Sequence, residues 1–334
     1  MNTAKMQAIV LTKYGSPSNL QLQEVAVPTP KENEILIRVI ASTVTKADTM
    51  MRRADPFISR FFLGFFKPKN PVTGTGFAGK VVATGTGVTH FAIGDEVFGE
   101  TGVQFGANAE YISLAEDAVV LKKPAGIPFE EAATITDGPL TSINFLKNLA
   151  KLQPGQKVLI NGASGSLGTA AVQIAKHYGA VVTGVASGRN AELVRSLGAD
   201  HFIDYTTTDF TQAGRTYDVI YDTIGNRTFS ETKGVLAPTG SYISPVMGFR
   251  LFIDMLLTSR GDGKKAKFSA TGLLSADELK PLIAELLQIF EAGHLRSVVD
   301  KRYTLADAPE AHRYVDTGHK RGNVVLMLAP KMAG

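Results

Sequence analysis

The 334-residue sequence predicts an α/β protein, a doubly wound parallel sheet joined to a second, β-barrel-like domain. Three observations carry that expectation. The length implies two domains at roughly 100–200 residues each. Residues before 124 read as short strands separated by turn formers. Residues after it alternate short apolar strands with helices, the signature of a parallel sheet covered on both faces.

In the first part, alternating or β-branched runs predict strands at Gln7–Leu11, Ile35–Val39, Lys80–Thr84, Glu96–Phe98 and Tyr111–Leu114. Turn formers such as Pro28, Pro30, Gly74, Gly79 and Gly94 punctuate them, as in a compact barrel. From Pro124 the pattern predicts helices at Phe129–Ile135 and Leu140–Leu149. A βαβ unit follows, with strand Lys157–Asn161, helix Thr169–His177 and strand Val181–Ala186. Next come a helix at Asn190–Ser196, strands at His201–Ile203 and Val219–Asp222, a helix at Phe229–Leu236 and a strand at Ser241–Ser244. Ala276–Ala292 reads as a helix and Val324–Leu328 as a last strand. Two apolar segments stand apart: Phe57–Phe66, with five of the 18 Phe and Arg60, and Phe249–Leu257, with Arg250 and Asp254. Both suit buried walls or lids over an apolar cleft, and the alternative is a membrane-surface or subunit contact.

Composition excludes several classes. With 44% hydrophobic and 20% charged residues the chain is not a disordered one. The net charge of +4 is dispersed rather than gathered into runs, so no nucleic acid partner is expected. No cysteine is present, which removes disulfides, iron–sulfur clusters, thiol nucleophiles and Cys-type zinc sites. No uncharged apolar run reaches the ~18 residues of a membrane span. Met1–Val10 has no apolar stretch behind a basic head, and the expected compartment is the cytoplasm.

The strongest local signal is Lys157–Gly168, a strand that opens through Gly162, Gly165 and Gly168 into a helix. Glycine permits the tight turn, lets backbone approach a pyrophosphate and lets helix pack on strand. Ser164 lies within the turn, and the amides of Ser166 and Leu167 would face the phosphates at the helix N-terminus. The motif predicts dinucleotide binding. About 20 residues on, an NAD(H) site would end its second strand with a carboxylate. The sequence instead offers Ala186-Ser187-Gly188-Arg189-Asn190. Arg189 can bind a 2′-phosphate, with Ser187, Asn190 and Tyr205 beside it, so NADPH is the expected cofactor. A short-chain dehydrogenase would need Tyr four residues before Lys, and none of the nine Tyr has that partner. The G-x-S-x-G spacing of hydrolases fails at Ser164, and no two of the six His lie at i, i+4.

The assembled blocks are similar to the medium-chain dehydrogenase/reductase superfamily, in its zinc-independent quinone oxidoreductase branch. The matching stretches are 41–48, 73–79, 93–99, 154–168, 197–205, 217–222, 311–314 and 321–326, nearly end to end. The resemblance implies a GroES-like β domain (1–124 and 294–334) around a Rossmann NADP(H)-binding domain (125–293), and a homodimer. The superfamily's catalytic zinc positions match Thr45, Thr75 with Gly76, and Asp137, a poor donor set, so no metal is expected. The implied reaction is metal-free hydride transfer from NADPH to a quinone or α,β-unsaturated carbonyl, with a small apolar or aromatic acceptor. Thr45 and Lys46 are the candidate donors to the developing charge, Asp48 an orienting acid, and Thr141 is placed near the nicotinamide. For Lys46 a pyrophosphate contact and for Asp48 a structural cap stand as equal alternatives. A non-catalytic NADPH-binding or scaffold protein of the same fold is the competing reading.

Overall fold

The computed structural model describes residues 4–55 and 57–328. It divides into two compact units, one of residues up to Thr136 with Ser275–Lys280 and Val299 onward, the other of Asp137–Leu274 and Pro281–Val298.

The first unit begins with β1 (Lys5–Leu11) and β2 (Leu20–Ala26), an antiparallel pair. β3 (Glu34–Thr43) buries Ile35, Ile37, Val39 and Ala41, alternate residues pointing to one face as the pleat demands. α1 (Lys46–Arg53) and the single turn α2 (Arg60–Leu63) follow. β4 (Gly76–Thr84), β5 (Glu96–Glu100), β6 (Tyr111–Ala115) and β7 (Val120–Lys122) extend the sheet through antiparallel neighbours. The short α3 (Phe129–Ala132) packs against β3 and β4, so this unit continues past the change of sequence style at Pro124. Its core holds Ile9, Ile35, Ile37, Phe77 and Val97.

The second unit opens with α4 (Gly138–Ile143) and then alternates β8 (Lys157–Asn161), α5 (Ser166–His177), β9 (Val181–Ala186), α6 (Ala191–Ser196), β10 (His201–Asp204), β11 (Tyr217–Asp222), α7 (Phe229–Thr232), β12 (Leu236–Ile243), α8 (Phe249–Thr258) and β13 (Lys265–Lys267). The six strands are parallel in the order β10-β9-β8-β11-β12-β13. Counted from β8 this is 3-2-1-4-5-6, the doubly wound order, with its switch point beside β8. Near-continuous apolar strands such as Val158, Leu159 and Ile160 are buried because both faces carry helices. Two helices differ from the sequence pattern. The one expected over 140–149 ends at Ile143 and widens into a π-type helix over Asn144–Leu149, where Asn144 bonds Thr271 and Asn148. The one expected over 229–236 stops after a turn, because Leu236 is drawn into register with Tyr217.

α9 (Ala276–Glu291) runs across the division between the units at Pro281. The chain then returns to the first unit through β14 (Val299–Thr304), α10 (Ala308–Asp316) and β15 (Asn323–Met327). β15 pairs antiparallel with β3, Val325 opposite Thr43.

Candidate functional site

In the second unit, β8 ends at the switch point and the chain turns at Gly162 with φ +83°. A Cβ there would lie 2.5 Å from Thr223 Oγ1, so only glycine makes this turn. At Gly168 a Cβ would lie 2.1 Å from the Gly162 carbonyl, which is the close packing of α5 on β8. Gly165 is different. It caps α5 in extended backbone, and a Cβ would meet nothing nearer than the Gly162 carbonyl at 3.5 Å. The protein itself does not require glycine at 165; open space lies where its side chain would project, at the positive end of the helix dipole.

The far end of the site is the turn after β9. Asn190 is buried and donates to Ser164 Oγ at 3.0 Å and Ser187 Oγ at 3.2 Å, tying the two loops together. Its Oδ1 is buried without a partner, an acceptor that a bound hydroxyl would satisfy. Arg189 is exposed and makes no ion pair among the described residues. Parallel pairing sets Asp204 opposite Ala186, and the Tyr205 amide donates to the Ala186 carbonyl at 3.2 Å, so Tyr205 arrives at the same turn.

That register also delivers a carboxylate the sequence did not reveal. β9 ends without an acid, yet Asp204 Oδ2 stands 2.4 Å from where a Gly188 Cβ would be. The Thr206 amide and hydroxyl, with the Gly188 amide, hold the Asp204 carboxyl below its usual range. On α4, Thr141 is half-buried in the first turn, and Asp137 at the helix start accepts from Ser166 Oγ at 2.7 Å. Asp137 thus links the starts of α4 and α5.

In the first unit, Thr45 and Asp48 open α1 as a reciprocal cap. The Asp48 amide donates to Thr45 Oγ1 at 3.0 Å, and Asp48 Oδ2 accepts from the Thr45 amide at 2.7 Å and hydroxyl at 2.6 Å. The single hydroxyl proton of Thr45 is committed, so it has none to offer a substrate oxygen. Of the three residues expected to act there, Lys46 alone keeps an exposed, unengaged head group among the described residues. Beside the cap, a small pocket, partly open to solvent, is lined by Asp48, Met51, Leu63, Val72 and Phe105 with Tyr14. Tyr14 donates to the Gly64 carbonyl at 2.8 Å, and burial raises its pKa.

Comparisons with known proteins complete the picture. Residues 31–125 match the family model of the alcohol dehydrogenase GroES-like domain, and residues 197–326 that of the zinc-binding dehydrogenase. Quinone oxidoreductase from Sus scrofa is 33% identical, covering 97% of this chain and 97% of that protein. The chloroplastic NADPH-dependent alkenal/one oxidoreductase of Arabidopsis thaliana is 32% identical, covering 98% of this chain and 80% of that protein. The chain belongs to the quinone oxidoreductase branch of the medium-chain dehydrogenase/reductase family. It is an oxidoreductase. The solved quinone oxidoreductase of Coxiella burnetii superposes with a TM-score of 0.87 at 27% identity, over 98% of this chain and 100% of that one. The CurK enoyl reductase does so at 0.85 and 27%, over 98% and 100%.

The two groups this family implies fare differently. Zinc does not fit: Thr45 is spent in its cap, and a Cβ at Gly76 would lie 2.7 Å from Thr43 Oγ1, leaving no room for a ligand side chain. Asp137 is the one carboxylate of that donor set. A nicotinamide dinucleotide fits, through the open space at Gly165, the orphaned Asn190 Oδ1 and the unpaired Arg189. Pairing residues distant in sequence is what the sequence reading missed, as with Asp204 beside Gly188, Asp137 on Ser166, and the exposed His177 and His294, whose Nδ1 atoms meet at 3.0 Å.

Proposed function

We propose that this protein reduces a quinone or an α,β-unsaturated carbonyl with NADPH, without a metal. The observation that carries the proposal is the combination of a dinucleotide turn at the switch point with a donor set that cannot hold zinc. Bound NADPH supplies a hydride from C4 of its nicotinamide. The turn from Gly162 to Gly168, with Ser164, Ser166 and Leu167, would hold the pyrophosphate against the start of α5. Arg189, Ser187 and Tyr205 would hold the 2′-phosphate, Asn190 a ribose hydroxyl, and Thr141 the nicotinamide end. Lys46 is our assigned electrostatic partner for the charge that develops on the acceptor oxygen. Asp48 positions α1 through its cap, and the apolar pocket beside it suits a small apolar or aromatic acceptor.

Stopped-flow oxidation of NADPH with a panel of quinones and enones tests the reading. Acceptor-dependent turnover that survives a chelator is expected; turnover only of alcohols with added zinc would overturn it. A homodimer belongs to the same proposal. α8 exposes Phe249, Phe252, Leu256 and Leu257 next to β13, the edge strand of its sheet, an apolar face suited to a second copy. Sedimentation of a Phe252→Asp variant as a monomer is the expected outcome. The proposed compartment is the cytoplasm; no helix among the described residues is long and apolar enough to cross a membrane.

A further inference from the structure

The segment from Phe57 to Lys69 in the first unit presents a cluster of aromatic rings to solvent. Phe66 is 87% exposed, Phe61 65%, Phe57 59% and Phe65 45%. The rings are organised among themselves, with Phe65 edge-on to Phe57 and Phe61 at 6.0 Å and to Phe66 at 5.0 Å. The Arg60 guanidinium lies over the rings of Tyr14 and Phe57, at 5.2 and 4.9 Å. Gly64, at φ +118° and pinned by the Tyr14 hydroxyl, makes the tight turn between Leu63 and Phe65. So much exposed aromatic area is costly in water unless something covers it.

Charge says what the cover is. Arg60 stands among the rings, exposed Lys67 and Lys69 follow them along the chain, and no Asp or Glu occurs between Asp55 and Asp95. Aromatic rings interleaved with basic residues match an anionic bilayer surface, where rings enter the interface and cations meet lipid headgroups. The apolar face of α8 lacks this bias, since Arg250 pairs with Asp254 at 3.4 Å. Leu63 and Pro68 of the aromatic segment also line the pocket beside α1.

We propose that residues 57–69 dock on an anionic lipid surface, and that the pocket lined by Leu63 and Pro68 takes its apolar acceptor from that surface. The second half rests on the reduction proposed above; the docking half does not. The test uses the full chain, sedimented with vesicles of phosphatidylcholine alone or mixed with phosphatidylglycerol. Each basic residue near an anionic surface is worth about fivefold in partitioning, so Arg60, Lys67 and Lys69 together favour the anionic vesicles by on the order of a hundredfold, screened by salt. Phe61→Ser/Phe66→Ser and, separately, Lys67→Glu/Lys69→Glu are expected to reduce binding about tenfold or more, with turnover of a water-soluble benzoquinone unchanged. Reduction of a long-chain quinone embedded in the anionic vesicles is expected to fall with binding in both variants. Wild-type protein that stays in the supernatant, or binds neutral and anionic vesicles equally, overturns the docking. A change of oligomeric state in either variant also overturns it, by making the patch a contact between copies. If the protein sediments but reduces no quinone or enone in any form, docking stands and the proposed reaction falls.

Discussion

Gly165→Ala separates ligand binding from folding, because inside the protein that glycine serves only as the N-cap of α5. Its backbone is extended, at φ −80° and ψ −179°, which alanine adopts freely. The new Cβ has the Gly162 carbonyl at 3.5 Å as its nearest neighbour, an ordinary contact. Stability should therefore stay within about 1 kcal/mol of wild type, alanine being a poorer N-cap than glycine but stiffening the unfolded chain. The methyl would stand where the pyrophosphate approaches the backbone. Losing one hydrogen bond to a charged group there costs about 1.5–3 kcal/mol, or about ten- to a hundredfold in NADPH affinity. Gly168→Ala is the control: its Cβ would lie 2.1 Å from the Gly162 carbonyl, so overpacking should cost about 1–3 kcal/mol or more. Urea unfolding and NADPH fluorescence titration measure the two quantities. Wild-type NADPH affinity in Gly165→Ala would refute the argument, as would a loss of stability as large as that of Gly168→Ala.

Arg189→Ala should raise the KM for NADPH about tenfold or more and leave that for NADH nearly unchanged; equal effects on both would sink the 2′-phosphate assignment. Thr45→Ala removes the cap of α1 and should cost about 1 kcal/mol in urea unfolding with kcat within about twofold of wild type, so lost turnover at full stability would restore a catalytic role to Thr45. Burial, with Arg52 nearby, pushes His312 down to about 3. The unfolded chain then takes up a proton below about pH 6.5 that the folded one refuses, so stability present above that pH should fall by about 1.4 kcal/mol per unit as pH drops toward 3. His312→Leu should flatten that slope between pH 6 and 5, and an unchanged slope would assign it elsewhere.

The parts legible in the sequence are those whose information is local. Strands Lys157–Asn161 and Val181–Ala186 match their expected limits residue for residue, since buried parallel strands are apolar runs bounded by turn formers. α1 was not legible as a helix: its mean character is polar, and Thr45 read as chemistry, with a cap standing for Asp48 only as an equal alternative, although their spacing spells a reciprocal cap. Asp204 was missed for a different reason. Its place beside Gly188 depends on the register of β10 on β9, which no spacing along the chain encodes. The pairing of β15 with β3 is likewise a contact across most of the sequence, and composition carries no trace of it.

That last pairing has a consequence for synthesis. Residues 137–274 form nearly the whole second unit and leave the ribosome as one uninterrupted stretch, so their parallel sheet can assemble while the rest is still being made. The first unit cannot. On the side of β3 that β6 covers over Glu34–Arg38, residues 41–43 stay open until Asn323–Met327 emerges, about 280 residues later, and a chain stalled before that point carries that end of its sheet unfinished. The earliest-made part of this enzyme is thus the last to be finished, and it is the part on which chaperones and proteases would act.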